Sequence, residues 1–445
     1  MLTDDVAIHE DLLKANIPET DLPRVVIIGA GFGGLKLAKS LANSNYQVVL
    51  IDKYNYHQFQ PLLYQVSSCA LEPSSIAFPL RKIFQHAHNL HIRITEVTEV
   101  DTAEKRLCTS TLGVINYDYL VIATGTNTNF FGNQTIEQLA LPMKSVPEAI
   151  ALRNSILEDF EKAISTRDYA HRQSFLDIVI VGGGPTGVEI AGALAEMKKY
   201  IIPKDYTELD KNELDIYLVD GNKRLLAAMS DSAGEAAEKY LKDLGVNVIT
   251  NTVVKDYDGS QVSLSDGSTL KASKLIWAAG VTGTVLPGME REAIGRGNRI
   301  LVNEFNQSIH YPEIYAVGDC ALMASTDYPA GHPQMAQGAI QQADNLGRNL
   351  KAALKGKLMK PFHYKDLGSM ATIGRNRAVV DLPRFKFKGF FAWFVWLFIH
   401  LMAILGTKNK LFIFLNWAWS YTTRDQSLRL IIRPYLQKGK EEIVA

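Results

Sequence analysis

Two periodicities alternate along this chain. Short runs of β-branched and aliphatic residues read as buried strands, and longer stretches with apolar positions three and four apart read as helices. The strand pattern holds at residues 25–28 and 48–51, then at 92–100, 119–122, 178–181, 215–219, 246–249, 275–278 and 314–317. Residues 107–111 with 114–116 predict a hairpin around Gly113, and 262–270 predict another turning on Asp266 and Gly267. Helical spacing covers 148–165, 232–244 and 333–355, with 142–147 reading as a linker and 365–380 as strand and turn. At 390–405 the alternation stops, and F-F-A-W-F-V-W-L-F-I-H-L-M-A-I-L is dominated by apolar residues, interrupted by His400. Strands alternating with helices predict an α/β protein with parallel sheets.

The first strand runs straight into Gly29, Gly31 and Gly34, which stand in G-x-G-x-x-G spacing and open a short helical pattern. The next strand ends on Asp52, 18 residues after Gly34. Strand, glycines, helix, strand and terminal acid together suit a dinucleotide: tight turn, backbone close to pyrophosphate, helix N-terminus on the anion, acid on the ribose. The unit then returns. Residues 178–181 lead into Gly182, Gly184 and Gly187 with the same spacing, and the following strand ends on Asp220. Two cradles in one chain predict a resident redox cofactor and a diffusible dinucleotide. Ala123, Thr124 and Gly125 close one strand with small residues, and Ala279 and Gly280 close another the same way. The second cradle therefore reads as inserted in the first domain. The expected division is an N-terminal extension at 1–23, a discontinuous first domain at 24–144 and 286–380, a second at 145–285 and a C-terminal region at 381–445.

Gly318 and Asp319 follow the last strand, where a carboxylate could bond a ribityl hydroxyl. The next helix would aim its positive end at a flavin, and Gln337 and Gln341, four apart, share one of its faces. Residues 55–65 (N-Y-H-Q-F-Q-P-L-L-Y-Q), including His57, read equally as packed loop and as pocket wall.

Bulk properties narrow the partners. Lys plus Arg and Asp plus Glu are each 47 in 445 residues, so no basic surface for nucleic acid is expected. Cys69, Cys108 and Cys320 stand far apart without C-x-x-C spacing, which argues against a zinc site, a disulfide framework or a thiol redox pair. The acidic, polar residues 1–21 resemble no signal peptide, and a catalytic body on the cytoplasmic side is expected. The sixteen residues 390–405 fall short of the roughly 20 a membrane span needs. Trp393, Trp396, Trp417 and Trp419, flanked by cations, suit a helix pair lying in a membrane interface; the rival is a buried dimer helix. From residue 381 onward ten Lys and Arg face four Asp and Glu, which favours an anionic leaflet.

These motifs together resemble the type II NADH:quinone oxidoreductases. The likeness rests on V-V-I-I-G-A-G-F-G-G, Y-H-Q-F-Q-P-L-L-Y-Q-V, V-G-G-G-P-T-G-V-E, Y-A-V-G-D, A-Q-G-A-I-Q and the tryptophan-rich tail. The resemblance implies two Rossmann-like domains, the second inserted in the first, plus an amphipathic helical region that associates with membrane. It implies non-covalent FAD on Gly29, Gly31, Gly33, Gly34, Asp52, Lys53, Ala123, Thr124, Gly125, Gly318 and Asp319, with NADH on Gly182, Gly184, Gly187, Asp220, Ala279 and Gly280. Gln337 and Gln341 match the family's quinone motif, and Glu189 matches a carboxylate near the nicotinamide and flavin. A homodimer on the cytoplasmic face of the inner membrane, reducing ubiquinone or menaquinone without pumping protons, is the implied setting. Lys223 and Arg224 beside Asp220 leave some NADPH use open. A sulfide:quinone oxidoreductase and a flavin-based NADH sensor are the alternatives.

Overall fold

The computed structural model describes residues 14–425 and 428–433. The chain forms two compact units, one built from residues 14–58, 78–127 and 281–367, the other from 59–77, 128–280 and 368 onward.

In the first unit, Val25, Val26, Ile27 and Ile28 fill the central strand Arg24–Ile28, which is buried on both faces. Gln47–Asp52 and Leu90–Ile94 lie to one side, Tyr119–Ile122 and Ile314–Ala316 to the other, all parallel. The run expected at 92–100 divides at Thr95: Leu90–Ile94 stays in this sheet, while Val97–Asp101 starts an antiparallel meander with Arg106–Thr109 and Gly113–Asn116. The helix Phe32–Leu41 packs against the long helix Ala336–Ala353, which begins three residues later than its periodicity suggests. We call the latter the glutamine helix.

The second unit repeats this plan. Its parallel sheet runs Leu141–Pro142, Lys274–Trp277, Ile178–Val181, Ile216–Val219, Val246–Ile249, and its meander is Val254–Tyr257, Gln261–Leu264 and Thr269–Lys271. The presumed linker at 142–147 is structured. Pro142 closes an edge strand, where its missing N–H costs no ladder bond. Ser145 and Glu148 form a capping box for the helix Val146–Ser165: Glu148 N–H donates to Ser145 Oγ at 3.3 Å, and Ser145 N–H to Glu148 Oε2 at 3.0 Å.

The tail belongs to this second unit, as do residues 59–77. Composition isolates residues 381–445, but the packing of their described part does not. The antiparallel strands Ser369–Thr372, Ala378–Asp381 and Lys386–Lys388 feed the first tail helix, Phe390–Ala403, and a second follows at Thr407–Thr423. Gly192 permits the strand turn to approach the helix Pro185–Tyr200, since a β-carbon there would stand 2.7 Å from Gly374 N. Arg375 donates to Ser420 O and Tyr421 O at 2.9 and 3.0 Å, satisfying carbonyls at the C-terminus of the second tail helix. Asn409 Nδ2 reaches Ser74 O and Ser75 O, and Trp417 Nε1 donates to Gln65 Oε1 at 2.8 Å. Among the described residues no helix is long and apolar enough to cross a membrane.

Candidate active site: two dinucleotide cradles and a buried carboxyl

The two glycine turns are built alike. Gly29 has φ +97° and Gly182 +109°; β-carbons there would meet Ala123 O at 2.4 Å and Ala278 O at 2.6 Å. Only glycine lets the turn pass so close to the neighbouring strand end. A β-carbon on Gly34 or Gly187 would stand 1.8 Å from the carbonyl oxygen of Gly29 or Gly182, so helix and strand touch backbone to backbone. At Gly31 and Gly184 a β-carbon would meet nothing within 4 Å. Those two residues begin helices that no side chain caps. Each cradle thus offers an open anion seat under a helix N-terminus, as a pyrophosphate requires.

The acids complete the repeat. Asp52 accepts Ala30 N–H at 2.6 Å on one oxygen and Tyr54 N–H at 2.7 Å on the other. Asp220 accepts Gly183 N–H on one oxygen and Asn222 N–H at 2.7 Å on the other. Both carboxylates are thereby aimed beside their glycine turns, with acceptor capacity left for ribose hydroxyls. Burial pushes the Asp52 carboxyl above its ordinary value, against the pull of the two amides and Lys53. Lys53 itself lies exposed, its ammonium over the Tyr54 ring. Arg224, expected as a possible phosphate partner, is committed elsewhere: its guanidinium donates to Leu226, Ala227, Met229 and Ser230 carbonyls and pairs with Asp231 at 3.0 Å.

Further residues support the first cradle, and of these Gln342, Arg299 and Thr284 escaped sequence reasoning. His57, buried, places Nδ1 2.8 Å from Ala30 O and meets the Phe32 ring edge-on, so it braces the glycine turn. Gly318 has φ +76°, and its N–H donates at 2.7 Å to Gln342, the buried amide next to Gln341. Arg299, also buried, donates to Ala321 O at 3.0 Å and His332 O at 3.1 Å, and its charge lies near Asp319. The doubled Gln in A-I-Q-Q was the one visible signal. Thr124 Oγ1 donates to Thr284 O at 3.0 Å, while the Thr284 hydroxyl is buried without a partner. The orphaned hydroxyl, the open seat at Gly31 and the placed acid all fit FAD.

Gln337 and Gln341 do share a helix face, but they hold protein. Gln341 Nε2 donates to Lys365 O at 2.9 Å and its Oε1 accepts Lys365 N–H at 3.0 Å; Gln337 Oε1 accepts Leu367 N–H at 3.0 Å. The two amides fasten a strap at 365–367 across the helix's first turns.

In the second unit Glu189 stands one turn into the helix that Gly184 begins, and it is 8% exposed. It accepts a long bond, 3.4 Å, from Thr372 N–H. Burial pushes its carboxyl up to about 8, against Thr372 and the Trp396 indole, which favour the ionised form. A carboxyl poised there can hold or release a proton near neutrality. The aromatic stretch after residue 58 contributes Tyr64, which Gln65 Nε2 bonds at 2.8 Å. Ala279 and Gly280 follow the strand Lys274–Trp277, and a β-carbon on Gly280 would strike the Phe131 ring at 2.7 Å. Cys69 and Cys320 are buried thiols, Cys69 pushed up to about 12 and Cys320 upward too, which suits packing rather than redox exchange.

Comparison with known proteins agrees with this geometry. Residues 23–343 match the pyridine nucleotide-disulphide oxidoreductase family, and 367–424 match the NDH2 C-terminal domain. The type II NADH:quinone oxidoreductase Ndh of Mycobacterium tuberculosis is 35% identical over 91% of this chain and 89% of its own. A type II NADH:quinone oxidoreductase of Haemophilus influenzae is 29% identical over 86% of this chain and 93% of its own. The structure of NDH2 from Plasmodium falciparum in complex with NADH has a TM-score of 0.84 at 22% identity, covering 92% of this chain and 100% of that one. The sulfide:quinone oxidoreductase of Aquifex aeolicus shares the fold at a TM-score of 0.70 and 18% identity, covering 94% of this chain and 98% of that one. With two matched cradles and relatives aligned over nearly their whole length, the chain belongs to the type II NADH:quinone oxidoreductases, flavoenzymes that oxidise NADH and reduce a quinone.

Proposed function

We propose that this chain works as a membrane-peripheral homodimer on the cytoplasmic face of the inner membrane, reducing ubiquinone or menaquinone by two electrons without moving protons across the bilayer. The observation that carries the reading is the doubled cradle, in which each glycine turn keeps its own terminal acid. FAD, when bound, supplies the electron store that takes a hydride and passes two electrons on.

The protein's part is to bind and orient. Gly29, Gly31, Gly33, Gly34 and Asp52 seat the resident dinucleotide, while Ala123, Thr124, Gly125, Gly318 and Asp319 approach it from the strand ends. Gly182, Gly184, Gly187, Asp220, Ala279 and Gly280 do the same for NADH. Glu189 holds a proton at its carboxyl and releases it for the quinone step. Gln337 and Gln341 act at the quinone side, where a strap that uses their amides can be exchanged for a quinone carbonyl. The tail supplies the attachment: Phe390, Phe391, Phe394, Phe398, Leu411 and Trp419 are all more than half exposed, an apolar surface that lipid would cover.

Stopped-flow separation of the half-reactions tests this. NADH should bleach the flavin of the purified protein, and a quinone analogue should restore its colour. Bleaching without reoxidation by quinone would favour the NADH sensor, and reduction by sulfide in place of NADH would favour the sulfide enzyme.

A further inference from the structure

The first tail helix has two different surfaces. Phe390, Phe391, Phe394 and Phe398 point outward, whereas Ala392, Trp396 and His400, spaced four apart, face the second unit's interior. Trp396 is 1% exposed. Its ring stacks on His400 at 4.0 Å between centroids and meets Tyr64 and Trp417 at 6.3 and 6.2 Å. His400 Nδ1 lies 2.8 Å from Trp396 O, and burial holds its imidazole down to about 4, hence neutral. The indole is therefore clamped, yet its Nε1 has no acceptor in hydrogen-bonding geometry. The carboxyl of Glu189, which feels both the indole and Tyr64, has one long bond, from Thr372.

We propose that Trp396 is a positioning residue for Glu189, its clamped indole N–H serving as the second donor that governs when that carboxyl holds a proton. This rests on the reading of Glu189 as the proton-handling group of the quinone step. It gives the tail a role beyond attachment, because one helix carries both the lipid-facing phenylalanines and the donor to the buried carboxyl.

Other groups around Glu189 are accounted for. From the helix Leu63–Ser67 only Tyr64 is titratable; its hydroxyl accepts from Gln65 Nε2, and Gln65 in turn accepts from Trp417. From the tail helix His400 stands behind the indole. Two turns along its own helix, Glu196 accepts Arg375 N–H at 2.6 Å and feels Arg377 and Lys199. On the packed helix Asp231–Asp243, Asp243 faces Arg377 at 3.8 Å, and from Ile202–Asp205 Asp205 pairs with Arg429. The sheet below offers Tyr217, beside Asp215 and Asp177. None of these supplies Glu189 with a donor.

The test replaces Trp396 by 3-benzothienylalanine, which keeps the ring shape and puts sulfur in place of N–H, with W396F as a simpler partner. In the FAD-loaded protein the infrared stretch of the protonated carboxyl that E189Q removes is followed against pH. The wild-type midpoint should lie at about 8. Loss of the donor should raise it by about one pH unit, and the pH limb of quinone reduction should move with it while flavin reduction by NADH keeps its rate. An unchanged midpoint in the folded benzothienyl variant overturns the proposal and leaves Glu189's role standing. A pH limb that survives E189Q overturns the role of Glu189 instead, while the infrared midpoint still judges Trp396. Should W396F fail to fold, the near-isosteric variant decides.

Discussion

At the residue scale, the buried carboxyl of Glu189 has a consequence for stability. Its folded-state value, about 8, lies above the ordinary 4.5. Between those values the native protein keeps a proton that the unfolded chain releases, so this group's contribution falls as pH rises through the window. E189Q keeps an acceptor for Thr372 N–H and removes the charge. We expect E189Q to match wild type below pH 4.5 and to be more stable at pH 8, by on the order of a few kcal/mol, read as a higher melting temperature in calorimetry. A variant that melts earlier at both pH values would show that the carboxyl is paired after all. Gly187 allows an equally direct statement. Its β-carbon would stand 1.8 Å from Gly182 O, a backbone atom that cannot swing aside. G187A should therefore spoil the second cradle and spare the first: the protein should purify yellow, with flavin absorbance that NADH no longer bleaches at concentrations saturating the wild type. Full bleaching would place NADH elsewhere.

At the element scale, the strap at 365–367 shows how much a helix face leaves undecided. Spacing put Gln337 and Gln341 on one face, and so they are. What that face meets is backbone from a segment more than twenty residues onward, which no local pattern announces. Gln341 makes two bonds to Lys365, each contributing about 1 kcal/mol net. Q341A should thus speed amide exchange at residues 365–367 by roughly tenfold or more and raise KM for quinone, with flavin reduction by NADH unchanged. Equal loss in both half-reactions would count against a quinone-side role. The strand break at Thr95 and the capped helix start at Val146 are similar cases. Both follow from pairing and capping that composition alone does not locate.

At the scale of the whole molecule, the proposed attachment to membrane would rest on the outer surface of the tail helices. Phe394 and Phe398 are each 57% exposed. Burying an aromatic ring in lipid is worth about 2 kcal/mol or more, and a charge in its place reverses the sign. The double substitution Phe394→Glu with Phe398→Glu should lower sedimentation with anionic vesicles by at least about a hundredfold in partitioning, leaving NADH-driven flavin reduction intact. Undiminished sedimentation would assign the apolar surface to a second copy of the chain, the dimer-helix alternative.

Much of this protein was legible from order along the chain alone. Glycine spacing, strand composition and a terminal acid are local requirements of a dinucleotide turn, so both cradles, their acids and the parallel sheets could be read residue by residue. The apolar tail was equally plain, because apolar character is a matter of composition. Folding settled the rest, through contacts between residues far apart in sequence. Residues 59–77 and the tail join the second unit because Gln65 meets Trp417 and Asn409 meets Ser74. Arg224 is withdrawn from the nucleotide site by four carbonyls that its own loop turns toward it. Glu189 acquires its raised proton affinity from burial, which outweighs the opposing pull of Thr372 and Trp396. Burial is a property of the assembled packing, and a carboxyl's chemistry depends on how much water that packing leaves beside it.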